Sequence, residues 1–493
     1  MDRHVQFDSD ATLQSCRTQT AMEQRRTRRK LEDLLDDKRR TLSEDWERAR
    51  SPSPSHGHSH GAGSARPESP EYRSHTPECP LGRSPTPGAA GASHVHVTTT
   101  TVYANHRGVS TGRPRTPGGR PLSPEAGKHF HHHWEYPSNQ GGGGSSGNHI
   151  RHEPRDPGAA DERAQFIPVT TLEDAQVVRA VDFHPSGKFY AIGSNSKTLR
   201  ICAYPHMDDL RENHLTTQPS VPNKRLKHHK GSIYCLAWNQ TGELIATGSN
   251  DKTVKLTRFN EDDCTMDHAG EAELTMHDGT VRDLCFVEDM TNRSSLLISG
   301  GAGDNKIYIT DCETATPFQS LSGHSGHILS LYTWGGAMFV SGSQDRTIRF
   351  WDLRTRGCTN LVTAPPAHGS GPGSPVAGVA VDPSGRMLVS GHEDATCMLF
   401  DIRGGRVIQC FRPHSQDIRS VRFSPKAYYL LTASYDGRCV LSDLQGDLTQ
   451  PLPSIVVAEH PDKVIQARWH PTDFTFVTTS ADKTASLWGL PVD

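Results

Sequence analysis

A set of polar marks recurring at fixed offsets constrains this chain more than any other feature. From Gly323 to Arg354 the sequence reads GHSGHILSLYTWGGAMFVSGSQDRTIRFWDLR. His324 opens the stretch, Asp345 sits in a turn, and Trp351-Asp352 close it. Between the marks lie three runs, HILSLYTW, AMFVSGS and IRFWDL. Each is rich in β-branched, aromatic or aliphatic residues and bounded by Gly, Ser or Asp, which is strand composition. The marks make sense as one buried chain of hydrogen bonds. The turn Asp accepts from the His ring, the His reaches Ser341, and that hydroxyl reaches the Trp351 ring nitrogen. Inside a packed sheet such a chain rigidifies only if every member is satisfied.

The marks return along the rest of the chain. Copy one spans Val177–Tyr204, copy two starts at His229 with Asp251 in the turn, and copy three starts at His277 with Asp304 and an insertion around Glu288–Ser295. Copy four is the stretch above. Copy five starts at His368 with Asp394 and closes on Phe400-Asp401; copy six runs from His414 to Asp443 with Asp436; copy seven runs from His460, with Asp482, to Trp488. Turn formers repeat as HPSG at His184, NQTG at Asn239 and DPSG at Asp382. Copy one has Ser196 in place of the turn Asp and no matching His, and the closing Trp survives only at Trp351 and Trp488. Those other blades are expected to be held more by packing. The pattern resembles the WD40 repeat, whose four-stranded antiparallel sheet forms one propeller blade. Seven copies at a period of about 40–45 residues imply an all-β, seven-bladed WD40 β-propeller.

Copy seven reaches only its third strand at Ala485–Leu490, while FIPVTT at Phe166–Thr171 is otherwise unassigned. The run is expected to supply the outer strand of the last blade and so remove an open edge. The predicted organisation is therefore a propeller over 165–493, closed by strand 166–171, after a Pro/Gly/Ser/His-rich region over 1–164. With 33% hydrophobic and 7% aromatic residues in 493, a large disordered part is expected. Residues from about 20 to 50 lack Pro and Gly and suit a short helix, with Leu31, Leu35, Leu42, Trp46 and Ala49 on one stripe. Lys38 interrupts that stripe, which is too short for a sustained coiled coil. It suits a solvated helix, or one that docks a partner or dimerises weakly. The basic run from Arg25 to Lys30 precedes an acidic one, which favours a mixed-charge face over a nuclear signal.

Between 51 and 161 the chain carries Ser-Pro and Thr-Pro pairs at Ser51, Ser53, Ser69, Thr76, Ser84, Thr86, Thr116 and Ser123. In a disordered setting these are candidates for proline-directed phosphorylation. Histidines cluster at His56, His58 and His60 and at His129, His131, His132 and His133, but among Gly, Ser and Pro; no metal site is expected. The 11 cysteines are scattered with no CxxC pair, which fits structural thiols in a reduced compartment. No apolar run reaches membrane-spanning length. No nucleophile–base pairing, phosphate-cradling Gly loop or metal spacing marks a catalytic centre. The expected class is a non-enzymatic interaction scaffold with no cofactor, no nucleic-acid partner and no membrane insertion.

The runs HHKGSIYCLAWNQTGELIATGSNDKTVK, GHSGHILSLYTW, DIRGGRVIQCFRPHSQDIRSVRFSP and DLQGDLTQPLPSIVVAEHPDKVIQARWH add a more specific likeness. They resemble the C-terminal propeller of the nemitin (WD repeat-containing protein 47) family, over essentially the whole propeller. That resemblance implies a microtubule-associated scaffold, cytoplasmic and cytoskeletal, prominent in neurons and neurogenesis. Its partners would include microtubule-associated proteins, among them minus-end-binding proteins. Longer family members begin with a LisH–CTLH region that this sequence does not contain, so its dimerising role is not expected here. The basic run Lys224, Arg225, Lys227 and Lys230 could attract acidic tubulin tails directly, or be a solvated outer strand.

A rival reading rests on Trp351-Asp352-Leu353-Arg354 and Phe400-Asp401-Ile402-Arg403, which resemble the WDxR pattern of substrate receptors of cullin-RING ubiquitin ligases. There Arg354 and Arg403 would contact the ligase adaptor; local charge pairing is the plainer explanation.

Finally, the binding face can be placed. Likeness to the heterotrimeric G-protein β subunit puts residues three and five positions after each opening His on the face around the channel. The fifth-position ring reads Arg179, Tyr234, Arg282, Leu329, Ala377, Arg419 and Ile465; the third-position set includes Ser232, Thr280, His327, Asp417 and Lys463. Tyr435 precedes a turn Asp and belongs with them. Arg and Tyr around two aliphatics suit capture of an acidic or phosphorylated helix or peptide. The alternative is that the arginines pair with neighbours such as Asp283 or Asp417.

Overall fold

Inner strands packed on both sides by neighbouring blades have no face left for water, so their sequences run apolar rather than alternating. Val376–Val381 is buried at all six positions, and Val178–Phe183 and Ile418–Phe423 are buried at four of six. Outer strands show the opposite: in Cys358–Thr363 only Val362 is buried. The computed structural model describes residues 165–491 except 208, 289–294, 356, 364–371 and 426–427, together with Leu35 and Arg40. The readings placed on the Ser/Thr-Pro sites, the histidine clusters and His368 lie outside the described residues.

The described residues form seven four-stranded antiparallel sheets, and the molecule is a seven-bladed β-propeller. Blade 1 spans 178–225, blade 2 233–274, blade 3 281–321, blade 4 328–363, blade 5 376–411 and blade 6 418–459. Blade 7 takes three strands from 464–489 and its outer strand from Ile167–Glu173, which pairs antiparallel with Thr484–Gly489. That closing strand is covered in turn. Thr171 N–H donates to Thr217 O at 2.9 Å, and the long connection after Ala203 lays Met207 and Leu210 into the same core cluster as Val169 and Leu172. The sheet edge is thus occupied rather than open.

Side chains of the inner strands stitch each blade to the next. Asp182 accepts Trp238 N–H (3.1 Å) across blades 1 and 2, and Asp283 accepts Leu331 N–H (2.7 Å) across blades 3 and 4. Ser330 accepts Val379 N–H, Arg422 donates to Val379 O, Ala467 N–H donates to Ser420 Oγ, and Gln466 accepts Val181 N–H. Between blades 2 and 3 the Cys235 thiol faces Val281 O at 3.8 Å. At the opposite end of the strands the HPSG-type turns place Gly187 and Gly242 at φ 77° and 81°, where a Cβ would strike His470 and His184. Those two imidazoles reach Gly187 O and Gly242 O from the preceding blades.

Candidate functional site

The rim of the channel is held in place by the polar chains beneath it. In blade 4, His324 Nδ1–H donates to Asp345 at 2.8 Å, Ser341 Oγ–H donates to His324 Nε2 at 2.6 Å, and Trp351 Nε1–H donates to Ser341 at 2.8 Å. A carboxylate only accepts, which fixes the ring tautomer. Burial would raise the Asp345 carboxyl, but bonds from His324, Thr347 and the Ser325 amide hold it well below its usual range. Blade 7 repeats the chain through His460, Asp482, Thr478 and Trp488 at 2.7–2.8 Å. Blades 2 and 6 keep His229–Asp251–Thr247 and His414–Asp436–Thr432 without the Trp.

Three blades depart from this scheme. In blade 1, Asp174 stands at the His position and accepts from Ser194, Ser196 and Arg200, so the donor and acceptor roles are reversed. Sequence reasoning missed it; the signal was an Asp four residues before the inner strand with Arg200 early in the third strand. In blade 3, His277 meets Ser299 at 2.8 Å, but Asp304 is taken by the Tyr308 hydroxyl and His277 Nδ1 has no hydrogen-bond partner among the described residues. Burial lowers the His277 pKa to about 4. In blade 5, His392 meets Ser390 at 2.9 Å, a partner the sequence did not flag.

On this frame Arg179, Tyr234, Arg282 and Arg419, second residues of their inner strands, build two cation–aromatic stacks together with Tyr435 and Lys463 from neighbouring loops. Tyr234 lies between Arg179 (4.5 Å from guanidinium carbon to ring centre) and Arg282 (5.1 Å). Tyr435 lies between Arg419 (5.1 Å) and Lys463 (4.9 Å). The first stack joins blades 1 to 3 and the second joins blades 6 and 7. Arg179 also donates to Asn195 at 2.6 Å, and Arg419 pairs with Glu393 at 2.9 Å. His327, Leu329 and Ile465 share the rim by register, half-buried, but join neither stack. Ala377 is 5% exposed and belongs to the core. Arg282 Nε and His327 Nδ1, in adjacent blades, are buried without a hydrogen-bond partner among the described residues.

The pairings suggested by sequence are not the ones formed. Asp283 points into the interior and accepts the Leu284 and Leu331 amides, while Arg419 uses Glu393 rather than Asp417. The basic run is also divided. Arg225 and Lys255 both bind the buried Glu271 carboxylate, leaving Lys224, Lys227 and Lys230 exposed. Arg354 donates Nε and Nη2 to Asp352 within its own turn. Below the rim, a cavity of about 310 Å³ in the channel is lined by Asp182, Asp283, Tyr332, Arg422 and Arg468. Burial raises both aspartates, opposed in part by the two arginines. No group of three or more His, Cys, Asp or Glu among the described residues could hold a metal ion, and no described helix is long and apolar enough to cross a membrane.

Comparison with known proteins agrees with this geometry. The WD domain, G-beta repeat family matches residues 166–202, 220–257, 315–352, 361–401, 405–443 and 453–489. The matches pass over 258–314, which holds most of blade 3. Protein tipD of Dictyostelium discoideum is 27% identical over 277 residues, 55% of this chain and 42% of that protein. Target of rapamycin complex subunit LST8 of Mus musculus is 24% identical over 252 residues, 50% of this chain and 72% of that protein. Nuclear distribution protein PAC1 of Coccidioides posadasii is 25% identical over 305 residues, 55% of this chain and 60% of that protein. The chain thus spans well under two thirds of tipD and somewhat under two thirds of PAC1. No enzyme family is among these matches.

Proposed function

We propose that this WD-repeat protein is a non-enzymatic scaffold that captures an acidic or phosphorylated segment of a microtubule-associated partner on its channel rim. The observation that carries the reading is the pair of stacks Arg179–Tyr234–Arg282 and Arg419–Tyr435–Lys463. Holding a guanidinium over a phenol ring fixes a flexible cation before a ligand arrives, so less side-chain freedom is lost on binding. Arg282 Nε and His327 Nδ1, from adjacent blades, are each buried without a hydrogen-bond partner among the described residues. An incoming carboxylate or phosphate would satisfy Arg282 with a charge-assisted bond. Leu329 and Ile465 supply apolar area for an amphipathic helix between the stacks.

The microtubule assignment rests on the likeness to the nemitin family, with a cytoplasmic, cytoskeletal location and a neuronal setting. A relative named for nuclear distribution is compatible with it. The partners we expect are minus-end-binding and other microtubule-associated proteins, with tubulin itself reached through Lys224, Lys227 and Lys230.

The test is co-sedimentation with microtubules, with and without a minus-end-binding protein. Losing one charge-assisted contact costs on the order of 1.5–3 kcal/mol, about ten- to a hundredfold in affinity. Arg282→Glu and Arg419→Glu should each remove partner-dependent pelleting while leaving the melting temperature unchanged. Wild-type pelleting by both variants overturns the rim as the binding face. Adaptor capture that is lost in Arg354→Ala plus Arg403→Ala would instead favour the ubiquitin-ligase reading.

A further inference from the structure

The end of blades 6 and 7 away from the rim holds an aromatic cluster drawn from both blades. Trp469 ends the inner strand of blade 7, Phe476 and Trp488 sit at the same end of the next two strands, and Phe166 precedes the closing strand. Tyr429 joins from blade 6. Phe474 stacks on Trp469 at 4.9 Å and tilts against Phe166 and Tyr429 at 5.7 and 5.5 Å. One member of the cluster comes from far away in sequence. Leu35 is only 1% exposed and is counted among the largest fully buried side chains of the molecule.

Leu35 is helical, and so is Arg40, which is exposed. Five residues along an α-helix turn the side chain by about 140°, so a buried Leu35 and an exposed Arg40 describe one apolar and one solvated face. In the sequence, Leu31, Leu42 and Trp46 recur about Leu35 at spacings of four, seven and eleven, the spacing of a single face. An apolar stripe of that spacing is what an amphipathic helix presents to a hydrophobic groove, and Leu35 is the member of it that lies in the ring cluster.

We propose that the aromatic pocket of Phe166, Tyr429, Trp469, Phe474 and Trp488 is a helix-docking site, occupied by the helix of this same chain that carries Leu35. It is a second interaction surface, independent of the rim and at the opposite end of the blades. Tethering keeps the local concentration of the helix high, so the pocket is filled in the isolated molecule and opens only to a competitor or when the anchor is removed.

The experiment uses the full chain, wild type and Leu35→Asp, with a fluorescein-labelled peptide of residues 21–50. Fluorescence anisotropy should show the peptide binding Leu35→Asp at least about tenfold more tightly than wild type, whose pocket is already filled. A peptide carrying Leu35→Asp should bind neither chain, and one carrying Leu35→Met should retain binding. The tryptophan emission of Leu35→Asp should shift to the red as Trp469 becomes wetter, with the melting transition still cooperative. Equal peptide binding to both chains, or binding to neither, overturns the proposal. A wild-type dimer in light scattering that becomes monomeric in Leu35→Asp would assign the helix to a second copy and likewise overturn the intrachain docking. Arg282→Glu should leave all these readouts unchanged, which separates this site from the rim.

Discussion

Blades 3 and 4 are neighbours with the same strand order and opposite polar interiors. In blade 4 both ring nitrogens of His324 are bonded, Ser341 serves two partners, and the chain ends on Trp351, itself 1% exposed. In blade 3 the Trp position is Thr310, whose buried hydroxyl has no hydrogen-bond partner among the described residues, and Tyr308 has diverted Asp304 from His277. Both blades nevertheless bury Ile298, Ile307, Ile309, Ile328, Leu331 and Phe339 in one shared cluster. Apolar packing is therefore sufficient to make a blade, and the polar chain is an addition that strengthens some of them. The family match passes over most of blade 3 although its sheet is complete.

The widest expected gap between the two blades is at the closing position. Trp351→Ala should cost about 3–5 kcal/mol, from a large cavity and a lost donor to Ser341. Urea unfolding midpoints at unchanged slope measure it; a loss under about 1 kcal/mol would mean that neither the ring's packing nor its bond to Ser341 supports the blade. Next, Asp345→Ala strands His324, Thr347 and the Ser325 amide, and should cost about 3 kcal/mol. Asp304→Ala should cost about 1 kcal/mol or less, since only Tyr308 and the Lys306 amide lose an acceptor.

The two blades should also fail in different pH windows. The folded pKa of His277 is lowered to about 4 from an ordinary 6.5, so its contribution is complete above pH 6.5 and is lost as pH falls towards 4. The folded pKa of Asp345 is lowered from 3.8, so its contribution is complete above that value and is lost only at lower pH. Between pH 6.5 and 4.5, His277→Leu should flatten the stability profile by up to one proton's slope, about 1.4 kcal/mol per pH unit, and Asp345→Asn should leave the slope there unchanged. The smallest effect is expected from Thr310→Val, which removes an unpartnered buried hydroxyl and should be neutral or stabilising by up to about 1 kcal/mol. A loss of 2 kcal/mol there would show that the hydroxyl is engaged after all.

Seven blades were legible because the marks and the strand composition lie within single repeats, and a period of seven copies admits few alternatives. The complete chains at His324 and His460 were legible for the same reason. Blade 1 was not, because a search for His at a fixed offset passes over Asp174, which does the same job with charge and donor reversed. The Arg225–Glu271 pair joins positions 46 apart on different blades, and nothing in either local sequence announces it. The rim residues could be placed by counting from each opening His, but their partners could not. Arg419 chooses Glu393 over Asp417 because the neighbouring blade brings that carboxylate to its guanidinium, a matter of inter-blade geometry.

The strand that closes blade 7 also sets a clock on synthesis. Thr171 bonds Ser486 across 315 positions of chain. At 5–20 residues per second, roughly 15–60 s separate the emergence of the two partners from a ribosome. For that interval the edge of Ile167–Glu173 that will meet Thr484–Gly489 has no strand to pair with, and the ring stays an open arc. Nascent chains paused or truncated before Thr484 would therefore be the species most prone to pair with one another, and the ones most in need of a holding chaperone.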